Sequence, residues 1–284
     1  MSRASDGGFD LHVHTTCSDG TEEVERVLEL AASTGLEGVA LTDHDTTAGF
    51  ERARVAAERH GLDLVLGTEF SAELDGWSVH VLGYDIDPTH PDLAAELDRL
   101  RDERTDRARR IVERFVALGI EVAFERVAAI AGAAPIGRPH IAAAVVEAGG
   151  AANEREVFDR YLADGGPAYV PKHAVHPVAA VELLRAAGGV AVLAHPGIRG
   201  PVDGEPVLTD AVIEELAGAG LAGLEADHPD HDAGARARFR DLARALDLVV
   251  TAGSDYHGDA KPNRLGEART ARGVLEALRS RAGG

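Results

Sequence analysis

Two histidines separated by one residue, His12 and His14 in the stretch FDLHVHTTCSDG, stand where an apolar run gives out, and Asp19 follows in the next turn. On an extended chain alternate side chains share a face, so this spacing puts both imidazoles on one side, with Leu11 and Val13 on the other. The same residue types recur at the ends of later apolar runs: Asp43 and His44 in LTDHD, Glu69 in LGTEFS, His195 in LAHPG, and Asp255 and His257 in GSDYH, with His80 inside VHVLGY. A single histidine in such a place is ordinarily a hydrogen-bonded or surface residue. A whole set gathered without a cation would bury like charges and unpaired polar groups at a cost of several kcal/mol. Mixed imidazole and carboxylate donors suit Zn, Mn or Fe better than Ca or Mg alone, so the set points to a metal centre.

Something must bring these residues together. The strands expected are FDLHVH, GVALTD, LVLGTEF, SVHVLGY, VAVLAHP, AGLEAD and LVVTAGSD, most of them followed by helical patterns. Such alternation favours a largely parallel α/β sheet, and in a barrel of parallel strands the C-terminal ends converge on one face. TEEVERVLELAASTG reads as a helix capped by Thr21, and a second helix runs from Thr46 or Thr47 to Gly61. Between about residues 91 and 167 the pattern is almost wholly helical. The expected organisation is therefore a barrel domain made of residues 1–90 and 168–284, with 91–167 as a helical insertion over the mouth.

Composition narrows the partners. The chain has 284 residues and a formal charge of −19, which argues against broad binding to long nucleic acid or to an anionic membrane. No apolar run approaches the length of a membrane span, and MSRASDGG is short and polar, so a cytoplasmic location is expected. No obligate protein partner is evident. Cys17 is the single cysteine, which excludes an intrachain disulfide and a cysteine-based zinc cluster, and it reads as a small buried filler rather than a nucleophile. Arginines concentrate in RLRDERTDRARRIVERF, residues 99–115. Most can pair with acids at neighbouring helical turns; Arg101, Arg104 and Arg107, spaced for one face, are the candidates for phosphate contact.

The ordered series HVH, TDHD, GTEFS, VHVLGY, AHPG and SDYH resembles the motif set of the polymerase and histidinol phosphatase (PHP) superfamily over nearly the whole chain. The helical insertion with GRPHIA, followed by PAYVPK, is similar to the branch that includes nucleoside 3′,5′-bisphosphate phosphatases. The resemblance implies a distorted seven-stranded, TIM-like (β/α)7 barrel holding two to three divalent ions, Mn2+ first, with Fe2+ or Zn2+ as alternatives. It implies that His12, His14, Glu69 and Asp255 hold one ion and that Asp19, His44 and His257 hold a second. Glu69 would bridge to a third completed by His80 and His195. Asp43 would orient a ligand by hydrogen bond.

Divalent ions lower the pKa of bound water from about 15.7 toward about 7 and neutralise phosphate oxygens, so hydrolysis of a phosphomonoester suits such a site better than acyl transfer. No GxSxG elbow is present. Asp19, His44, His257 and His140 are the catalytic candidates, the last as a phosphate contact or a proton donor to the leaving group. Arg138 and His140 fall at a predicted helix start, where backbone N–H groups favour an anion, and Lys172 could reach a second phosphate. The alternative for Arg138 and His140 is that they pin the insertion to the barrel. His228 and His231 in EADHPDH are expected near the site, although Asp227 before His228 disfavours substrate stacking there. Phe70, Trp77 and Tyr256 are the rings nearest the motifs. The expected substrate is a small phosphorylated nucleotide such as a 3′,5′-bisphosphate. A 5′-3′ exonuclease on short oligonucleotides, a histidinol phosphate phosphatase and a catalytically silent binding module are the alternatives.

Overall fold

The structure, a computed structural model, describes residues 7–163, 165–171, 174–198 and 208–282. Seven strands form one sheet in chain order: β1 Phe9–Asp10, β2 Gly38–Leu41, β3 Asp63–Leu74, β4 Trp77–Tyr84, β5 Val190–Leu193, β6 Gly223–Asp227 and β7 Val249–Ala252. Beyond β1 and β7 the rim closes. His14 N–H donates to the Tyr256 carbonyl and Tyr256 N–H to that of His12, at 2.9 and 3.3 Å, around a parallel bridge between Val13 and Tyr256. The fold is thus the seven-stranded α/β barrel that the sequence implied.

One strand departs from the parallel pattern. β4 runs antiparallel to both β3 and β5. Asp75 and Gly76 join β3 to β4 with φ of 50° and 84°, the two positive dihedrals a type I′ hairpin turn requires. Reversal explains where the ligand sits: in β4 the start of the strand, not its end, reaches the rim, so His80 comes from its first half.

The first strand is shorter than expected. It ends at Asp10, whose buried carboxylate accepts the N–H of His12 at 3.3 Å, a local bond that competes with the ladder. As a result Leu11 and Val13 do not share a face. Leu11 joins the apolar filling of the barrel with Phe9, Ala40, Val65, Leu82, Tyr84 and Val192, while Val13 packs with the layer between sheet and helices. His12 and His14 still turn to one side, their ring centroids 5.2 Å apart.

Helices α1 Val24–Ser33 and α2 Phe50–His60 cover β1–β3. Thr21 does not cap α1; its Oγ1 accepts the Asp259 N–H at 2.8 Å and so anchors the loop after His257. α2 ends on Gly61 at φ 64°, the left-handed cap anticipated. The helical region holds α3 Pro91–Ala117, α4 Phe124–Ala131, α5 Arg138–Glu147, α6 Glu154–Val157 and a π-helical turn, Phe158–Leu162. These bury a core of their own, including Ile111, Phe115, Val127, Ile141, Val145 and Leu162. α7 Pro177–Ala186, α8 Asp210–Gly218, α9 Ala233–Ala245 and α10 Arg272–Arg279 complete the ring. Among the described residues no helix is long and apolar enough to cross a membrane.

Candidate metal centre

The residues singled out at the ends of β1, β2, β5 and β7 meet at the rim with His80 from the first half of β4 and with Glu69, which lies within β3 rather than at its end because that strand runs on to Leu74. Nε2 of His12 lies 3.3 Å from Glu69 Oε2 and 3.6 Å from Asp255 Oδ1, and Nε2 of His14 lies 3.1 and 3.4 Å from the same two oxygens. These four residues form one set of donors close enough to share an ion. Asp19, His44 and His257 form a second, which also takes in His14: Asp19 Oδ1 lies 3.3 Å from His257 Nε2 and Asp19 Oδ2 3.7 Å from His44 Nε2. A third set is His44, Glu69 and His80. His195 adjoins it through Glu69 Oε1, which lies 2.9 Å from His195 Nε2 and 2.7 Å from His80 Nδ1.

The donors fit cations. His12 Nε2, His14 Nε2, His44 Nδ1, Glu69 Oε2 and Asp255 Oδ1 are buried yet make no hydrogen bond. Orphans of this kind are rare in folded proteins, and here they point at one another. Burial alone would push the carboxyls of Glu69, Asp19 and Asp255 up, but neighbouring imidazoles outweigh it, joined at Asp255 by the Lys261 ammonium, and hold all three well below the usual range. Against burial, those carboxylates in turn hold the imidazoles of His12 and His14 above the ordinary range, His14 at about 9, whereas burial keeps His44 and His257 low. A cation entering the site would therefore displace the protons of the first two and meet lone pairs on the others. His195 and Asp255 adopt φ of 26° and 53°, a left-handed conformation costly for residues bearing a Cβ and characteristic of functional sites.

Supporting residues were harder to foresee. Glu225 of β6, fully buried, sets both oxygens 3.1 Å from His12 Nδ1 and accepts the His195 N–H at 3.0 Å. An acid set between Leu224 and Ala226, inside the strand rather than at its end, was the available signal. Lys261, whose Nζ lies 2.6 Å from Asp255 Oδ2, gave none, since a 3-10 turn at Gly258–Ala260 folds it back over the site. Asp43 reaches the ligands indirectly: it accepts Thr15 N–H and Oγ1 and Ser18 Oγ at 2.6–2.8 Å, pinning the loop that carries Asp19. His228 is fully buried, with Nδ1 accepting the Asp230 N–H and Nε2 3.7 Å from Asp255 Oδ2. His231 is spent on structure. Its Nδ1 donates to the Ala226 carbonyl and its Nε2 accepts the Gly197 N–H, so it does not line the site.

Two cavities flank the metal-capable edge and share His44, Ser78, His80, Arg138 and Lys261. One, about 330 Å3, is walled by Val79, Ala194, Pro196, Ile198 and Leu208. The other, about 210 Å3, is walled by Asp19, Arg104, Arg107, Phe158, Tyr169 and the start of α5 at Gly137–Pro139. Arg104, Arg107 and Arg138 thus reach the second cavity. Arg101 does not; half exposed, it pairs with Asp98 of its own helix at 3.1 Å. A three-residue step falls 60° short of a full turn, so the 101, 104, 107 series winds around α3 and only its last two members face inward. Phe70 is in the core, and neither Trp77 nor Tyr256 touches either cavity; the available rings are Phe158 and Tyr169. His140 caps its own helix, its Nδ1 accepting the Gly137 N–H at 3.0 Å, and burial keeps the imidazole low, so that it is neutral with its proton on Nε2. Lys172 lies outside the described residues.

Residues 10–91 match the model of the PHP domain. The chain is 39% identical over 253 residues to a phosphoribosyl 1,2-cyclic phosphate 1,2-diphosphodiesterase of Eggerthella lenta, a match covering 88% of this chain and 94% of that one. The chain belongs to the PHP family. This PHP protein is also 34% identical to the 3′,5′-nucleoside bisphosphate phosphatase of Chromobacterium violaceum, covering 90% and 89% of the two chains. It is 33% identical to a 5′-3′ exoribonuclease of Haemophilus influenzae, covering 88% and 89%. A crystal structure from Bifidobacterium adolescentis, assigned to the metal-dependent phosphoesterases, superposes with a TM-score of 0.91 at 35% identity and covers 98% of each chain. The PHP chain described here is a metal-dependent phosphoesterase, and so a hydrolase.

Proposed function

We propose that this PHP protein hydrolyses a phosphomonoester on a small nucleotide carrying two anionic groups, with the 3′-phosphate of a nucleoside 3′,5′-bisphosphate as the leading case. One observation carries this reading: across a cavity of about 210 Å3, the arginines 104, 107 and 138 and the first residues of α5 face the metal-capable edge. Two or three divalent ions at the three donor sets, Mn2+ foremost, would activate water and neutralise the reacting phosphoryl oxygens. His12, His14, Glu69 and Asp255 would hold the first, Asp19, His44 and His257, beside His14, the second, and Glu69 and His80, with His195 adjoining the set, the third. The chain does the rest: Arg107 and Arg138 orient the second phosphate, and His140, which lines neither cavity, holds the start of α5 in place by accepting the Gly137 N–H. Glu225 fixes the tautomer of His12.

A second reading rests on a separate observation. Among the described residues the side of the larger cavity away from the metal-capable edge is aliphatic and carries no Phe, Tyr or Trp, so it suits a bare ribose better than a stacked base. That favours a phosphorylated cyclic ribose phosphate, the substrate type named for the Eggerthella relative. The deciding experiment is phosphate release, or ring opening, from a nucleoside 3′,5′-bisphosphate, a 5′-monophosphate, a cyclic ribose phosphate, histidinol phosphate and a short oligoribonucleotide, each with Mn2+. Equal rates on all five refute a two-anion substrate.

A further inference from the structure

Asp45 follows His44 directly, is fully buried and stands at φ 51°. Its Oδ1 accepts the Ser71 N–H at 2.7 Å, and its Oδ2 accepts Nε and Nη2 of Arg104 at 2.8 and 2.6 Å. Nη2 also donates to Ser71 Oγ at 3.1 Å. One carboxylate thus ties α3 of the helical region to β3 of the barrel. Other arginines of α3 behave differently: Arg99, Arg101 and Arg110 pair with acids of their own helix. With its Nε and Nη2 edge occupied, Arg104 turns Nη1 toward the start of α5, where a methyl group on Gly137 would come within 3.8 Å of it.

We infer that Asp45 is a positioning residue that holds the Arg104 guanidinium edge-on, so that Nη1 presents a fixed donor to an anionic group of the substrate in the cavity lined by Asp19, Gly137 and Arg138. The inference rests on the phosphoester reading above. The buried carboxylate cancels much of the guanidinium's net charge, so Arg104 acts through a directed N–H rather than as a distant attractor. The two possibilities have opposite signs. If charge were the point, removing the carboxylate would tighten anion binding. If direction is the point, a released guanidinium swings away and binding weakens.

The test uses Asp45→Asn and Arg104→Lys in the full chain. Asparagine keeps the shape and the acceptor for Ser71; lysine keeps the charge but cannot span Asp45 and the cavity. Metal-stripped protein is titrated calorimetrically with inorganic phosphate, a readout independent of turnover. The dissociation constant is expected to rise about tenfold in each variant. Equal or tighter binding, or no phosphate binding by the wild type, overturns the inference. With the nucleoside bisphosphate and restored metal, KM rises about tenfold and kcat stays within about twofold. A fall in kcat at constant KM also overturns it. Bound metal is measured alongside, since His44 is adjacent; should Asp45→Asn fail to fold, Arg104→Lys carries the same outcomes. Wild type that leaves the bisphosphate intact refutes the functional reading, and the phosphate titration still decides Asp45.

Discussion

Both carboxylate oxygens of Glu225 lie 3.1 Å from Nδ1 of His12, deep beneath the rim. With a cation bound, the contact would keep the His12 proton on Nδ1 and leave Nε2, which faces Glu69 and Asp255, as the ligand atom. Partners of this kind fix ring orientation and raise ligand basicity. Glu225→Ala is expected to weaken metal affinity about 10- to 100-fold, measured by competition with a chromophoric chelator. Unchanged affinity would reduce Glu225 to packing.

Metal should also stabilise the fold, because the donor sets exist only when distant strands are assembled. At a free ion concentration 100 times the dissociation constant, one site contributes about 2.7 kcal/mol. In a chain of this size that raises the melting temperature by roughly 5–10 °C. Calorimetric scans with chelator and with Mn2+ should differ by at least this amount, and Glu69→Gln should erase most of the difference, since Glu69 belongs to two of the three sets.

The arginines of α3 and α5 should separate by position. Arg101→Ala removes an exposed pair with Asp98, worth less than about 0.5 kcal/mol, and KM should not move. Arg107→Ala or Arg138→Ala removes a charged donor from the cavity wall and should raise KM for the bisphosphate about tenfold or more. Steady-state kinetics on the three variants checks the contrast.

Cys17 should be a poor nucleophile. Burial pushes its thiol up, and the Asp43 carboxylate pushes it further. Less thiolate is then present at neutral pH, and reactivity appears only as pH climbs through the raised value. Labelling by Ellman's reagent at pH 7 should be slower than for glutathione, and Cys17→Ser should keep kcat within about twofold. Rapid labelling with loss of activity would contradict the filler role.

Much of the barrel could be read from the chain because its signals are local. Apolar runs, left-handed caps such as Gly61 and ligand-bearing strand ends all lie within a few residues of the features they specify. β4 escaped because direction is not written in a strand's own residues; the Asp75-Gly76 turn encodes it, and SVHVLGY reads the same either way. Arg101 misled for a geometric reason, the 60° shortfall of a three-residue step. Asp45, Glu225 and Lys261 are single polar residues whose partners lie 59, 213 and 6 positions away, and only folding reveals whom they meet.

Sequence by itself determined which side chains carry the chemistry: the order of HVH, TDHD, GTEFS, AHPG and SDYH fixes the donor types, and strand periodicity fixes the rim on which they fall. Tertiary structure decided the rest, namely which donors share a set, which arginines enter the cavity and which acids hold them there. The reason is physical. Identity and spacing are properties of the covalent chain, whereas a contact between β6 and the end of β1, or between α3 and β3, exists only after long loops close and apolar surface is buried.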